Sequence, residues 1–233
     1  GLNYGIEPMV TYDYYEPRMP NRFYTFPINY NYGGFISSDY RKPFALDIST
    51  NYRIFKENNR NYLNVAVSPR YRASNRLSFI YEIMNDFKND DIGFVYYNSV
   101  DDTITFGRRN MQTVSNTFSS VYKFTNKMSL SFRLRHYWSS AKYKEYYQLS
   151  NDGKLNSYDH QINHDVNFNA FNIDMVFFWQ FAPGSELNLV WKNSVLKREN
   201  TINNDYYENF KGSFTNAQNN MLSIKVLYYI DYL

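Results

Sequence analysis

The sequence predicts an all-β fold, a transmembrane antiparallel up-and-down β-barrel of which about ten strands are present, a number that could close alone. Three observations predict it. Aromatic residues make up 20% of the 233 positions, from 25 Tyr, 19 Phe and 3 Trp, while the mean hydropathy is only −0.62. Apolar and polar residues alternate along one segment after another, and short and long connections alternate between those segments. A membrane barrel wall produces all three, because lipid-facing and lumen-facing residues alternate along each strand and cancel in any hydropathy average. No run approaches the ~18 continuous apolar residues that a spanning helix needs.

Taken in chain order, the period-two segments begin with Tyr24, Phe26, Ile28, Tyr30 and Tyr32, which oppose Thr25, Asn29 and Asn31. Phe44, Leu46 and Ile48 alternate with Asp47, Ser49 and Asn51; Leu63, Val65 and Val67 alternate with Asn64, Ala66, Ser68 and Arg70. Leu77, Phe79, Tyr81 and Ile83 alternate with Arg76, Ser78, Glu82 and Asp86. Leu130, Phe132 and Leu134 face away from Ser129, Ser131, Arg133 and Arg135. Between Val166 and Phe181, one face collects Ile173, Met175, Phe177, Trp179 and Phe181, and Leu187, Leu189 and Trp191 then oppose Glu186, Asn188 and Lys192. The C-terminal assembly strand is the clearest: Leu222, Ile224, Val226, Tyr228, Ile230 and Tyr232 share a side, and the charges of Lys225 and Asp231 fall on the other. Helical spacing would mix the two sets.

The connections sort by length. Arg41-Lys42-Pro43, Ala73-Ser74-Asn75, Thr125-Asn126-Lys127 and Ala182-Pro183-Gly184-Ser185 read as tight turns; in the last, Pro fixes φ and Gly supplies a positive φ. The intervening connections read as generally longer: Asn85 to Gln112, Ser150 to His164 and Asn200 to Ala217, with shorter ones near Pro17 and Glu57. Outer-membrane barrels have short periplasmic turns and long outer loops, whereas a soluble β-sandwich has no reason to sort loop lengths this way. The Asn-rich loop residues Asn200, Asn203, Asn204, Asn216, Asn219 and Asn220 read as solvated connections, and Trp138, Trp179, Phe181, Trp191, Tyr228 and Tyr232 as an aromatic girdle at the membrane interfaces.

Little in the sequence points to catalysis. There is no Walker loop, dinucleotide-binding glycine pattern or Cys/His metal signature, and the chain has no Cys. No catalytic, cofactor-binding or metal-binding residue is expected. A net charge of +3 does not indicate a nucleic-acid partner. His160 and His164 read as two solvated loop residues: four apart in an extended segment they lie roughly 13 Å from each other, too far to clamp one metal unless the loop turns. His136 is in phase with Leu130, Phe132 and Leu134, on the lipid-facing side near the membrane edge. Arg108 and Arg109 fall in the longest expected loop beside Asp101 and Asp102, where a loop salt bridge is the plainer account and lipopolysaccharide phosphate contact the alternative. The lumen side collects the basic residues Arg53, Arg70, Arg72, Arg133, Arg135, Lys192 and Lys225, with Arg76 and Lys123, against Asp47, Glu82, Asp86, Asp174, Glu186 and Asp231. These form either cross-strand charge ladders that stiffen the interior or a lining that favours anions in an open pore.

Several stretches resemble one family: Phe106-Gly107-Arg108-Arg109-Asn110, Arg133 to Trp138, Trp179-Gln180-Phe181-Ala182-Pro183-Gly184-Ser185-Glu186-Leu187 continuing to Val190-Trp191-Lys192, and the closing Ser223 to Leu233. The family is the domain-of-unknown-function barrel at the C-terminus of Bacteroidota envelope proteins, in which a signal peptide and a family-nine-like carbohydrate-binding β-sandwich usually precede the barrel. The resemblance implies that residues 1–233 are the C-terminal portion of an outer-membrane barrel in a Gram-negative envelope, with the signal and the sugar-binding-like domain lying outside this chain. It brings no activity and no catalytic residues. The expected partners are outer-membrane lipid and lipopolysaccharide, the barrel-assembly machinery, and other envelope proteins. The leading expectation is a non-enzymatic scaffold or channel linked to carbohydrate binding or uptake. Its rivals are an interaction subunit of a larger secretion or assembly complex, and an envelope glycan hydrolase whose activity lies outside this segment.

Overall fold

The computed structural model describes residues 1–231, and strand dominates them. In chain order the strands are β1 (Leu2–Glu7), β2 (Thr11–Asp13), β3 (Tyr24–Phe26), β4 (Asn29–Ser37), β5 (Phe44–Phe55), β6 (Asn61–Arg72), β7 (Leu77–Asn98), β8 (Thr103–Thr125), β9 (Met128–Leu149), β10 (Leu155–Ser157), β11 (Val166–Ala182), β12 (Ser185–Glu199) and β13 (Asn219–Leu227), with one helix, α1 (Tyr206–Thr215), between β12 and β13. Ten strands form an antiparallel meander in the order β1-β4-β5-β6-β7-β8-β9-β11-β12-β13, while β10 pairs with β9 and β2 with β3 in a separate hairpin. The sheet is open: β1 and β13 end the path, and no ladder joins them among the described residues. Closure into a barrel is therefore not seen among the described residues. Among the described residues no helix is long and apolar enough to cross a membrane.

The alternating segments pair in register, so their apolar side chains meet on one face. One cross-sheet row runs Tyr81, Phe118, Leu134 and Ile173, and the next runs Phe44, Tyr71, Phe79, Ser120, Phe132, Met175, Trp191 and Leu222. The apolar belt does not stay level with these rows. The row through Thr50, at the centre of the apolar stripe of β5, passes Val65, Asn85, Val114, Trp138 and Asn169 to reach Lys197 in β12. The stripe of β12 is centred about eight residues away, at Leu189, after six strand-to-strand steps. With a rise of ~3.4 Å per residue and a strand spacing of ~4.8 Å, that slip corresponds to strands tilted by about 40–45° from the normal to the belt.

The tight turns fall where the residue chemistry puts them. Gly184 adopts φ +70°, the conformation that the Pro-Gly pair requires. At the other end three expectations are corrected. Residues Asn85 to Gln112 are not a loop: β7 and β8 continue as a long hairpin closed at Ser99–Asp102. Bulges at Asp90, where φ is +49°, and near Val95 interrupt the alternation there and hide the strands from a period-two reading. The segment from Tyr24 to Tyr32 is not one strand: it breaks at Pro27, and Tyr24 turns into a cluster with Ile92, Ile104, Phe106 and Leu149 at the extended ends of β7–β9. The third correction is helix α1, inside the Asn200–Ala217 connection.

Helix α1 begins at Asp205, whose carboxylate accepts the backbone N–H groups of Tyr207 and Glu208. Its aromatic residues at fourfold spacing turn onto the sheet: Tyr206 meets His136 and Trp138, and Phe210 and Phe214 meet Phe171. This is the apolar face, at the level where β9 and β11 place polar side chains on it. Asn209 accepts hydrogen bonds from Asn167 and Asn169, Asn116 donates to Tyr206 Oη (2.5 Å), and Trp138 Nε1 donates to Asn167 (2.7 Å). The helix thus shields a polar patch that would otherwise interrupt the apolar face. Trp138→Ala removes a fully buried indole and is expected to destabilise the fold by about 3–5 kcal/mol in denaturant titration of the micelle-refolded protein; a loss under about 1 kcal/mol would contradict the packing described.

Candidate functional site

Strand alternation puts the expected lumen cations Arg53, Arg70, Arg72, Lys123, Arg133, Arg135, Lys192 and Lys225 on the face opposite the apolar belt, and Arg76 lies in the turn just before β7. They do not act as one group. Arg70 pairs with Asp47 (3.6 Å), and Arg72 donates to the Arg41 carbonyl in the turn below (2.7 Å). Three converge: Arg133 lies opposite Asp174, which lies opposite Lys192, and Arg135 reaches diagonally to Asp174 (2.5 Å). Small neighbours make room around them. Ser119 and Ser131 open a hollow of about 410 Å³ whose wall carries Arg133, Arg135, Asp174 and Lys192. One carboxylate against three cations leaves the hollow locally basic, so it suits an anionic group. Charge ladders are thus present at Asp47–Arg70 and Asp174–Arg135, but Arg133 and Lys192 form no ion pair among the described residues.

A second polar centre lies beyond the apolar belt, where the β7–β8 hairpin outruns β6. Arg109 is not in a loop beside Asp101 and Asp102 but in β8, paired with Asp91 (2.8 Å) and donating to Tyr143 Oη (2.8 Å). Tyr62 Oη donates to the other Asp91 oxygen (2.6 Å). Arg60, only 1% exposed, donates to Tyr24 Oη, Tyr62 Oη and Glu57, and its guanidinium lies 4.3 Å from the Phe55 ring centroid. Burial alone would raise the Asp91 pKa, but the Arg109 guanidinium and the Tyr62 and Arg109 hydrogen bonds outweigh it and hold the carboxyl below the ordinary range. The same burial pushes the Tyr24 hydroxyl up. Arg108 lies against Tyr147 and Glu145 (3.1 and 3.6 Å), and Asp102 pairs with Arg22 (3.1 Å). These groups satisfy one another, which marks a clamp for the extended hairpin rather than a reactive centre. Nothing in the sequence pattern signalled it, because its members come from five separate segments.

The histidines fall elsewhere than expected. His136 is in phase with the apolar belt but fully buried under α1, with Nδ1 3.1 Å from Tyr206 Oη. The loop holding His160 and His164 does turn, bringing the two Nε2 atoms to 2.8 Å. Of the girdle residues, Trp179, Phe181 and Tyr228 are exposed, Trp191 donates to Asn220 (3.1 Å), and Trp138 is buried under α1 instead of exposed. Leu222, Ile224 and Val226 lie in β13, and so do Asn219 and Asn220, which are not loop residues but pair with Ser194 and Asn193; Tyr228 and Ile230 follow its end, and Tyr232 lies outside the described residues.

The Asp91 clamp has a pH signature. An unfolded Asp titrates near ~3.9, and the folded value is lower, so the stabilisation is complete above the unfolded value and is lost as pH falls through the folded one. Asp91→Asn leaves the Arg109 guanidinium without its counter-charge and is expected to weaken local hydrogen-exchange protection of the β7–β8 hairpin by roughly 3 kcal/mol at neutral pH. The difference between variant and parent should shrink on acidification; a difference that does not depend on pH would refute the assignment.

No curated protein and no solved structure matches the chain. The model of one family does, over residues 1–233, and its description is "Domain of unknown function (DUF5916)". The match spans the whole chain, and the chain belongs to that family.

Proposed function

We propose that the chain is a wall segment of an outer-membrane β-barrel in a Gram-negative, Bacteroidota-type envelope, serving as a non-enzymatic scaffold or channel linked to carbohydrate binding or uptake. The observation that carries this reading is the slanted apolar belt. Strands tilted by 35–45° in a bilayer require an apolar band inclined to the hydrogen-bond rows, and the exposed aromatics and aliphatics of this band give it the lipid-facing composition. The belt also has the right height. On β11 it runs from Ile173 to Phe181, about 27 Å along the strand and near 20 Å once tilted, close to the ~25 Å apolar band of such barrels. Open edges in hydrocarbon leave unpaired backbone groups, so β1 and β13 must pair with further strands or with each other in the working protein. The lumen then lies on the Arg133–Lys192 side, and its basic hollow favours anionic solutes or acidic sugar groups. The link to carbohydrate rests on the family resemblance alone.

Reconstitution of the full-length protein into planar bilayers tests the proposal. Conductance with an anion preference that weakens in the Arg133→Gln/Lys192→Gln variant is the channel outcome. A silent protein that inserts and resists alkaline extraction is the scaffold outcome. Failure to insert, with a monodisperse folded protein in plain buffer, would overturn both.

A further inference from the structure

We propose that His160 and His164 form a binding site for a divalent transition metal on the loop between β10 and β11. Their Nε2 atoms lie 2.8 Å apart, with the rings 5.0 Å apart between centroids and 14° from parallel. Two imidazole nitrogens about 2.05 Å from one ion are separated by about 2.9 Å at a right angle and about 3.3 Å at a tetrahedral angle. The nitrogen spacing is that of adjacent corners of a square plane or octahedron, the preference of Cu(II) and Ni(II) with N and O ligands; the 5.0 Å between centroids has the two Nε2 atoms facing each other, so each ring swings toward a shared ion when one binds.

The surroundings keep the two rings side by side. Tyr146 packs edge-on against His160 (5.0 Å) and His164 (5.9 Å), and Tyr158 stacks on His160 at 27°. The loop is tied at both ends: Tyr158 N–H donates to the Tyr146 carbonyl (3.0 Å), Tyr143 N–H donates to Asp165 (2.8 Å), and His164 N–H donates to Tyr146 Oη (3.3 Å). Without metal, one Nε2–H donates to the other Nε2. Metal binding needs both Nε2 lone pairs, so the donor ring moves its proton to Nδ1 and no net proton is released from the neutral pair. No third His, Cys, Asp or Glu completes the set among the described residues, so water fills the remaining positions and the affinity is moderate.

The test is clean because the chain has three His and no Cys, and the third, His136, is fully buried. The full chain in detergent micelles is titrated with Ni(II) by calorimetry and with Cu(II) by electron paramagnetic resonance. One equivalent of metal and a Cu(II) spectrum with superhyperfine coupling to two imidazole nitrogens are expected. His160→Gln and His164→Gln should each weaken binding by about tenfold or more and reduce the coupling to one nitrogen. Absence of stoichiometric binding by the parent, or binding and spectra unchanged in both variants, would overturn the site. Far-ultraviolet circular dichroism of each variant shows whether the strands persist, and the one-nitrogen spectrum of a folded variant separates lost ligation from lost structure.

Discussion

Backbone pairing is the constraint from which the rest of this structure follows. Once antiparallel ladders fix which residues stand opposite each other, a strand with period-two composition has only one face to offer its neighbours. Slipping one residue between β9 and β11 would put Arg133 and Asp174 among Phe132 and Met175 and destroy both faces together. The register also sets the incline of the apolar belt, since the stripe on each strand is displaced by about one residue from the last. Two surfaces of opposite chemistry therefore arise from one set of hydrogen bonds: a greasy, slanted band and a polar face with a basic hollow.

The ends of the belt need different solutions. Where β8, β9 and β11 carry Asn116, His136, Asn167 and Asn169 on the apolar face, helix α1 lies over the patch and supplies Asn209 and Tyr206 as partners. Where the β7–β8 hairpin extends past its neighbour β6, the β2–β3 hairpin and Arg60 pack against it, and Asp91 and Arg109 neutralise each other between aromatic rings. Both devices belong to the connections at one end of the meander. The opposite end keeps only tight turns, such as Pro183-Gly184. That division of labour is the loop-length alternation in physical form.

Local features were the legible ones. The registered strands at Leu130–Leu134, Ile173–Trp179 and Leu187–Trp191 follow from alternation within a few residues, and the turn at Gly184 follows from the pair Pro-Gly. The hairpin through Asn85–Gln112 escaped the reading because extra residues at Asp90 and near Val95 break the parity, so its strands lose their alternation without losing their pairing. Helix α1 had a local signature, Asp205 followed three residues later by Glu208 and aromatics at positions 206, 210 and 214, but the abundance of Asn made the stretch read as loop. Long-range contacts were out of reach. The Tyr24–Arg60–Tyr62–Asp91–Arg109 network draws on separate segments, and the approach of His160 to His164 depends on the path of a loop.

The central claim, that one face of this sheet meets hydrocarbon and the other meets water, is tested most directly by spin labels placed singly along β12. The chain has no Cys, so each label has a unique position. In protein reconstituted into lipid vesicles, the account predicts that labels at Leu187, Leu189 and Trp191 are accessible to oxygen and shielded from a water-soluble nickel chelate, while those at Asn188, Val190 and Lys192 show the reverse. Equal access to the chelate along the whole strand would contradict the account.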